Sequence, residues 1–426
     1  MSLLPLWPHK YVMKTLYSFV ITLYSVLIGI SAPFNTKARQ WIEGRRRWRS
    51  KISGFKSTGH VIWVHCASLG EFEQGRPLIE KIRADKPGWK IVVTFFSPSG
   101  YEVRKNYDNA DLIMYLPSDT FINAYDFIKG IKPDIAVFIK YEFWYNYLNI
   151  LKRKNIPVYL VSAIFRPNQL FFKWYGGFYR LMLPKFTHIF VQNEESRELL
   201  KGIGYNDCTV TGDTRFDRVS QIAEKARDLP LIKSFAGDGR LFIAGSSWDP
   251  DEDIVTRYIN EHPASMKWLF APHEIDEAHL SRIEKKLTVP CARYSLWSPE
   301  NTGARVLIID NIGMLSSVYR CGAYAEVGGG FGRGIHNILE PACWGIPVLF
   351  GPNHTIFLEA KEMLERGGAF TFSSYDEFSS IMTTLENNSD RYNVACDTAK
   401  KYIAENTGAT AKVFNIVFAD NLNNTR

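Results

Sequence analysis

HVIWVHCASLGEFEQGRPL, residues His60 to Leu78, joins an apolar run of strand length to a turn of small residues and then to a helical pattern. This order predicts one α/β unit. A dinucleotide-binding unit would complete G-x-G-x-x-G in the turn, and a phosphate-binding loop would add further glycines. Glu71 and Glu73 occupy that place instead. The stretch therefore predicts an α/β fold whose first turn carries a carboxylate.

Further apolar runs of strand length alternate with helical patterns along the rest of the chain. Their near-continuous hydrophobicity favours parallel strands that are buried on both faces. The segment 226–240, which contains Pro230, Gly237 and Gly239, interrupts this alternation and predicts a linker. The predicted strands before it are 60–66, 90–96, 111–116, 134–139, 157–163, 188–193 and 208–212, and those after it are 241–245, 267–272, 305–310, 323–328 and 347–350.

This order predicts two doubly wound, Rossmann-like α/β domains. The chain has 426 residues, 46% of them apolar, so its length and composition allow separate hydrophobic cores. The predicted domains are 53–225 and 226–426, and an N-terminal segment, 1–52, precedes them. Because such folds bind ligands at the carboxyl ends of their strands, we expect the active site in a cleft between the domains.

Positive charge concentrates near the N-terminus. Residues 1–51 hold nine basic residues and one acid, Glu43, for a local charge of +8. The whole chain carries +7, so the other 375 residues sum to −1. A basic block beside a nearly neutral body argues against a nucleic-acid binder and favours contact with an anionic surface, with Arg45 to Arg49 on the cytoplasmic side.

An apolar stretch, TLYSFVITLYSVLIGI from Thr15 to Ile30, lies within this basic segment. At ~1.5 Å per residue a helix of this length reaches ~24 Å, short of the ~30 Å hydrocarbon core. A secretory signal is disfavoured, because the basic residues mainly follow the apolar run and no A-x-A site comes after Ile30. We expect a retained membrane anchor, spanning or interfacial; a buried amphipathic helix is the alternative.

Cysteine and histidine spacing indicates no metal site. The six cysteines form no C-x-x-C pair, which favours a reducing compartment without a disulfide framework. The histidines of HEIDEAH, His273 and His279, are six residues apart and cannot share a metal on one helix. DPDED, Asp249 to Asp253, is interpreted as the N-cap and first-turn acids of a helix rather than as a magnesium site.

The strongest ligand-binding pattern is VGGGFGRGIHNILEPACWGIPVLFGP, from Val327 to Pro352. Five glycines between a strand and a helix allow backbone N–H groups and the helix dipole to approach a phosphate. Pro341 limits the helix start to about His336 or Asn337, which places Glu340 near its mouth, where a carboxylate could bind a ribose diol. A merely tight turn is the alternative.

Ser68-x-x-Glu71 in the opening stretch also fits a capping box. In a capping box Glu71 reaches back to the Ser68 amide, whereas a catalytic Glu71 would point into the cleft. Pattern alone favours the cap.

Several motifs match one family in chain order. ASLGE (67–71) resembles the S-V-G-E of 3-deoxy-D-manno-octulosonic acid (Kdo) transferases, YEFWYN (141–146) resembles their E-x-E-x-W-P-N, and GDTRFD (212–217) their G-N-x-K-F-D. APH (271–273), DNIGML (310–315) and the glycine-rich stretch are similar to the CMP-binding segments. The resemblance implies the GT-B fold of an inverting glycosyltransferase.

The resemblance also implies site residues. Glu71 would be the general base, with Glu142 and Arg215 as transition-state stabilisers, and we expect Glu71 to point into the cleft, with Glu73 an ordinary first-turn acid. Arg215 stands where the family has lysine and keeps the charge, whereas APH lacks the family's arginine. The implied substrate-binding residues are Pro272, His273, Gly313, Met314, Leu315, Gly332, Gly334, Asn337, Ile338, Leu339 and Glu340.

The implied reaction moves Kdo from CMP-Kdo to the lipid A precursor, lipid IVA, in lipopolysaccharide core biosynthesis. It needs no cofactor or metal, and it would occur at the cytoplasmic face of the inner membrane, on anionic lipid reached through the N-terminal anchor. Two alternatives stay open: another GT-B nucleotide-sugar transferase or epimerase, and an inactive membrane-bound nucleotide-binding homologue.

Overall fold

The computed structural model describes residues 7–56, 58–264, 266–300 and 303–422, so the first six residues of the predicted N-terminal segment lie outside it. The chain divides into two compact units. Unit 1 comprises residues 1–218 and 408–426, and unit 2 comprises residues 219–407. Each unit contains one seven-stranded parallel sheet, which confirms the predicted pair of Rossmann-like domains.

Unit 1 has the strand order β3-β2-β1-β4-β5-β6-β7. Its strands are β1 Val61–Cys66, β2 Lys90–Phe95, β3 Leu112–Tyr115, β4 Ile135–Ile139, β5 Val158–Ala163, β6 His188–Val191 and β7 Cys208–Val210. Its helices are α1 Trp7–Ser31, α2 Thr36–Arg45, α3 Trp48–Ser53, α4 Leu69–Asp85, α5 Pro98–Arg104, α6 Phe121–Ile131, α7 Tyr145–Arg153, α8 Gly177–Arg180, α9 Glu194–Gly202 and α10 Thr214–Glu224, which ends in unit 2.

Unit 2 has the strand order β10-β11-β9-β8-β12-β13-β14. Its strands are β8 Leu241–Ser247, β9 Lys267–Pro272, β10 Cys291–Arg293, β11 Val306–Ile308, β12 Tyr324–Val327, β13 Val348–Phe350 and β14 Ala369–Thr371. Its helices are α11 Pro230–Ala236, α12 Asp249–Glu261, α13 Glu277–Lys286, α14 Leu315–Val318, α15 Leu339–Ala342, α16 Leu358–Arg366, α17 Tyr375–Asn387 and α18 Ser389–Asn406. The last helix, α19 Ala409–Leu422, belongs to unit 1.

The predicted second domain, 226–426, is wrong at its end. Apolar side chains of α19, including Val413 and Val417, are fully buried in the core on one face of the unit 1 sheet. Asp217 caps this helix, because its carboxylate accepts the backbone N–H groups of Gly408 at 2.5 Å and Thr410 at 2.7 Å. The chain therefore returns to unit 1 to complete its core.

The predicted linker, 226–240, contains the helix α11. Pro230 occupies its first turn and Gly237 is its C-cap, so the residues that indicated a linker mark the two ends of a helix. Between them, Ile232 and Phe235 are fully buried in a core of unit 2. The apolar spacing of Ile232 and Phe235 indicated the helix better than the proline and the glycines indicated a linker.

The basic N-terminal block is partly buried, so the expected contact of this block with an anionic surface does not extend to Arg45. Arg45 is only 8% exposed, and its guanidinium donates to the carbonyl groups of Leu116 and Phe96 over 2.7 Å each. Burial lowers the pKa of Arg45 to about 9. Arg45 therefore connects α2 to the segments that follow β2 and β3, whereas Arg46 and Arg47 are exposed.

The predicted apolar helix is confirmed as α1. Within the described chain, residues 13–31 form the one helix that is long and apolar enough to cross a bilayer, a property that signal sequences share. One face of α1 contacts unit 1: Tyr17 donates to Asp119 at 2.6 Å, and Ser25 to Ser118 at 3.1 Å. Burial raises the pKa of Asp119 to about 6.

Candidate active site

Glu71 is the third residue of α4, directly beyond the carboxyl end of β1. The backbone N–H of Ser68 donates to Glu71 Oε2 over 2.7 Å, and the Ser68 hydroxyl donates to the same oxygen. The structure thus forms the capping box, so the expectation that Glu71 turns away from Ser68 is wrong. Neither bond uses Oε1, and Glu71 is partly exposed. The capping box therefore fixes one carboxylate oxygen and leaves the other for a ligand.

Glu73 has a different environment from Glu71. Its two oxygens form ion pairs with Arg104 at 2.7 Å and Arg218 at 3.0 Å, and Arg76 lies 3.6 Å away. As the fifth residue of α4, Glu73 lies beyond the first turn and is the centre of an ion-pair network, so the prediction of an ordinary first-turn acid is wrong. Because arginines hold both of its oxygens, Glu73 is a poor candidate for a base.

Glu142 lies at the end of a buried hydrogen-bond chain. The indole of Trp63 donates to the Thr94 hydroxyl, which lies 2.8 Å from His65 Nδ1. His65 Nδ1 also lies 3.1 Å from the Thr94 carbonyl oxygen, and His65 Nε2 lies 3.0 Å from Glu142 Oε2. Trp144 donates to the same oxygen over 2.5 Å. Glu142 is 7% exposed, so this chain fixes its carboxylate in one orientation.

Arg215 lies at the start of α10 and is held by Asp213. Its guanidinium donates to Asp213 Oδ2 at 2.8 Å, and its backbone N–H donates to Oδ1 at 2.9 Å. Gln74 of α4 donates to Oδ1 at 3.1 Å, so α4 and the Arg215 turn meet. Burial alone would raise the pKa of Asp213, but Arg215 outweighs it and holds the pKa below its ordinary value.

The glycine-rich loop of unit 2 follows β12, and close backbone packing explains most of its composition. A Cβ atom at Gly328 would lie 2.3 Å from the carbonyl oxygen of Ser246, and one at Gly330 would lie 2.5 Å from Gly351 Cα. Gly329 and Gly334 have positive φ angles. The composition therefore arises mainly from chain geometry, which favours the tight-turn interpretation over a loop shaped only for phosphate.

Several loop amides already have partners. Gly332 and Gly334 both donate to the carbonyl oxygen of Gly329, at 3.0 and 3.3 Å, and His336 donates to Gly328 at 3.1 Å. These N–H groups are not free for a phosphate in this conformation. Gly332 and Arg333 are the exposed residues of the loop, and the carbonyl oxygen of Gly332 accepts from the Asn353 amide at 2.8 Å.

The helix after the loop is shorter than predicted. α15 begins at Leu339 rather than near His336 and has only four residues, so it offers a small dipole. Asn337 donates to Glu340 Oε1 over 3.1 Å and thereby orients this carboxylate. Ile338 and Leu339 are buried, so only their backbone groups could contact a ligand.

Three rings stack near the carboxyl ends of β8 and β9 and the loop after β12. The ring of His273 lies 4.7 Å from Trp248 and 4.5 Å from His336, with interplanar angles of 27° and 20°. The Trp248 indole donates to His336 Nε2 over 3.1 Å. His273 is exposed, whereas Pro272 before it is buried.

The remaining predicted nucleotide-binding residues lie at the start of α14. Gly313 is exposed and has a φ angle of 97°, and Met314 is the N-cap. Leu315 packs partly against a core cluster of unit 2. The structure therefore places these residues and the stack in the same unit, each beyond a strand of one parallel sheet.

One group of side chains in the described residues has ligand atoms spaced for a metal: Asp249, Glu252 and His279, all within 4.8 Å of one another. Glu252 already accepts from His279 at 3.0 Å and from the Ser247 hydroxyl at 2.9 Å. Asp249 contacts the cation of Arg282 at 3.3 Å. The carboxylates have protein partners. The DPDED segment supplies the first-turn acids of α12, as predicted, but the N-cap is Trp248, so the predicted N-cap acid is wrong.

Sequence reasoning missed His65, Trp248 and Arg333. His65 and Trp248 stand at the ends of β1 and β8, and Arg333 is an exposed cation inside the glycine-rich loop. Polar or aromatic residues at the carboxyl ends of parallel strands are the signal that could have found the first two.

Comparison with known proteins identifies relatives of the chain. Residues 43–218 match the family model for 3-deoxy-D-manno-octulosonic-acid transferase (kdotransferase). The 3-deoxy-D-manno-octulosonic acid transferase of Aquifex aeolicus is 29% identical over 336 residues, 78% of this chain and 87% of that protein. The enzyme of the same name from Haemophilus influenzae is 24% identical over 370 residues, 84% of this chain and 86% of that protein.

Solved structures support the fold. The UDP-GlcNAc 2-epimerase of Neisseria meningitidis matches with a TM-score of 0.61 at 16% identity, covering 85% of this chain and 100% of that one. MurG of Acinetobacter baumannii matches with a TM-score of 0.54 at 12% identity, also over 85% and 100%. At these identities the likeness concerns the fold alone.

Proposed function

Because the chain belongs to the Kdo transferase family and is a glycosyltransferase with a GT-B fold, we propose that it transfers Kdo from CMP-Kdo to the lipid A precursor, lipid IVA. The observation that carries this proposal is Glu71: a partly exposed carboxylate beyond the carboxyl end of β1, with one oxygen fixed by Ser68. It lies inside the region that matches the family model.

Glu71 acts as the general base in this proposal. A hydroxyl of the lipid acceptor gives its proton to Glu71, and its oxygen attacks the anomeric carbon of Kdo while the bond to the CMP phosphate breaks. A single displacement inverts the anomeric configuration. The capping bonds on Oε2 keep the carboxylate in place while Oε1 accepts the proton, so the cap and the base are compatible roles.

Glu142 and Arg215 stabilise charge around this reaction. Arg215 supplies a cation, and Asp213 fixes its orientation through bonds to the side chain and the backbone. Such preorganisation allows stabilisation of developing charge without reorganisation during the reaction. Glu142 is held by His65 and Trp144, so it contributes a fixed negative charge.

Unit 2 binds the donor. Asn337 orients Glu340, whose carboxylate can accept hydrogen bonds from a ribose diol. Gly313 offers exposed backbone, and His273 offers an exposed ring that stacks with both Trp248 and His336. These contacts need no metal, because they supply hydrogen-bond donors and acceptors directly to the nucleotide.

The enzyme works at a membrane, which the acceptor requires. Several apolar side chains of α1 are exposed, including Phe19 at 62% and Ile30 at 66%, while Tyr17 and Ser25 bond to unit 1. A helix held along one side in this way is suited to lie in the interface with its apolar face in lipid. We assign this contact to the cytoplasmic leaflet of the inner membrane, with the exposed Arg46 and Arg47 near anionic headgroups.

A transfer assay tests the proposal. The purified full-length protein is incubated with CMP-Kdo and lipid IVA, and the product is identified by mass and by the anomeric configuration of the new bond. We expect Kdo-bearing lipid with inverted configuration, and thermal stabilisation by CMP but not by UDP. Binding of CMP without turnover would indicate an inactive homologue, and stabilisation by UDP would indicate another nucleotide-sugar enzyme.

A further inference from the structure

The ring stack of unit 2 joins three segments that are distant in sequence. Trp248 follows β8, His273 follows β9, and His336 lies in the loop after β12; these strands are neighbours in the order β9-β8-β12. Both Trp248 and His336 lie close to the His273 ring, and they are hydrogen-bonded to each other. The arrangement therefore sets the environment of one imidazole, that of His336.

The hydrogen bond between Trp248 and His336 determines which nitrogen carries the imidazole proton. An indole N–H is only a donor, so His336 Nε2, at 3.1 Å, must accept. The proton of the neutral ring is then on Nδ1. Burial, together with the neighbouring His273, lowers the pKa of His336 to about 4, so the ring stays neutral near pH 7.

The other nitrogen, Nδ1, is available to a ligand. Across the described chain, no residue accepts a hydrogen bond from His336 Nδ1, and the side chain is only partly buried. A Cβ atom at Gly329 would lie 3.0 Å from His336 Cδ2, so the ring is packed against the glycine-rich loop. Ligands of parallel α/β sheets bind beyond the carboxyl ends of the strands, where this nitrogen lies.

We propose that Trp248 is a positioning residue that fixes His336 as the Nδ1–H tautomer, so that His336 donates a neutral hydrogen bond to an anionic oxygen of the donor nucleotide. The inference rests on the proposed function and adds to it a residue pair that controls donor binding. The oxygen belongs to the phosphate or to the carboxylate of the sugar. Binding of CMP, which has only the phosphate, distinguishes these two sources from binding of CMP-Kdo, which has both.

Two substitutions of His336 test which nitrogen donates. The amide nitrogen of asparagine occupies about the place of Nδ1, and that of glutamine the place of Nε2. We expect His336→Asn to retain donor binding within about threefold and His336→Gln to raise the KM for CMP-Kdo about tenfold, the effect of one lost hydrogen bond. An equal effect in the two variants, or a better result for His336→Gln, would overturn the Nδ1 assignment.

Trp248→Phe tests the role of the indole N–H, because phenylalanine keeps an aromatic ring against His273. We expect the KM for CMP-Kdo to rise about fivefold to tenfold, with kcat changed less than about threefold. Nitrogen-15 spectra of histidine-labelled full-length protein should show His336 as the Nδ1–H tautomer in the wild type and as a mixture in the variant. Trp174→Phe, at an exposed position of unit 1, is the control and should change neither result.

The outcomes separate this inference from the proposed function. If the wild type transfers Kdo while Trp248→Phe keeps its KM and its tautomer, the inference is wrong and the function stands. If the wild type fails to bind CMP and CMP-Kdo, the function is wrong and so is a donor role for His336. If Trp248→Phe does not fold, the wild-type tautomer and the two His336 variants decide, and an Nε2–H tautomer in the wild type refutes the inference.

Discussion

The helix that follows the first strand of each unit begins in the same way, yet the two helices carry acids with different environments. α4 follows β1 and α12 follows β8, and in each helix the third residue is an acid that accepts the backbone N–H of the N-cap. Ser68 donates to Glu71 over 2.7 Å, and Trp248 donates to Asp251 over 3.0 Å. Glu71 is partly exposed, whereas Asp251 is fully buried.

The difference in burial gives Asp251 a structural role, whereas Glu71 is accessible to a ligand. Asp251 Oδ2 also accepts the N–H of Gly329 at 3.1 Å, so this acid connects α12 to the glycine-rich loop. Burial raises the pKa of Asp251 to about 6, even though both backbone bonds lower it. Glu326 beside it is fully buried, and neither of its oxygens has a hydrogen-bond partner among the described residues. The same local motif therefore holds an accessible carboxylate in unit 1, the base of the proposed reaction, and a buried structural acid in unit 2.

The largest expected effect comes from Glu71→Gln. The amide oxygen can still accept from Ser68, so the cap is retained, but the side chain can no longer take a proton. We expect kcat to fall about 10²- to 10⁴-fold, the usual contribution of a general base. The melting temperature, measured by circular dichroism, should change little.

Asp85→Asn is the matched control, because Asp85 is an exposed acid at the other end of α4. It should keep wild-type transfer. A Glu71→Gln enzyme that transfers Kdo at a near-normal rate would remove the distinction between the two acids and would leave Glu71 as a cap only.

Sequence patterns predicted most of the strands and the capping box of Glu71, but they did not predict which of the two acids is buried. The apolar runs predicted twelve of the fourteen strands that the structure describes, because a strand buried on both faces is apolar along its length. The two missed strands, β10 and β14, are three-residue edge strands with partly exposed residues, so they lack that signal. Ser68-x-x-Glu71 also predicted the capping box that the structure forms.

The misses concern tertiary contacts that no local pattern contains. Arg45 belongs to the basic block that was expected to contact an anionic surface. It is buried instead, and its guanidinium donates to the carbonyl groups of Leu116 and Phe96. The packing of Gly330 against Gly351 depends on two loops 21 residues apart. α19, near the C-terminus, packs against α4, near the N-terminus. The spacing of residues within α19 could not predict this contact, so the return of the chain to unit 1 was missed.

Asp251→Asn should change stability rather than chemistry. Unfolded Asp251 ionises near pH 4, whereas in the folded protein its pKa is about 6, so its contribution to the free energy of unfolding falls as pH rises from about 4 to about 6. Above pH 6 the charged, buried form is a cost. Asparagine removes that cost, and its amide can donate toward Glu326. We expect a melting temperature higher by a few degrees at pH 7.5, with little difference from the wild type at pH 4.

Melting curves at several pH values measure this effect. Asp119 also has a pKa raised to about 6, so the wild-type slope should be reduced in Asp251→Asn and not abolished. If the melting temperature of Asp251→Asn is lower than that of the wild type at pH 7.5, the charged carboxylate is needed to hold Gly329. Asp251 would then resemble Glu71 in acting as a carboxylate, in spite of its burial.

The smallest expected effect comes from Ser68→Ala, which separates the two donors to Glu71 Oε2. The hydroxyl is lost, but the backbone N–H remains and still orients the carboxylate. Loss of an N-cap side chain costs about 1 kcal/mol, which lowers the melting temperature of a unit of this size by about 2–4 °C. We expect transfer to fall less than about tenfold, because Oε1 is unaffected. If kcat instead falls as far as in Glu71→Gln, the Ser68 hydroxyl is required to hold Glu71 against the acceptor, and the capping box itself is part of the catalytic apparatus.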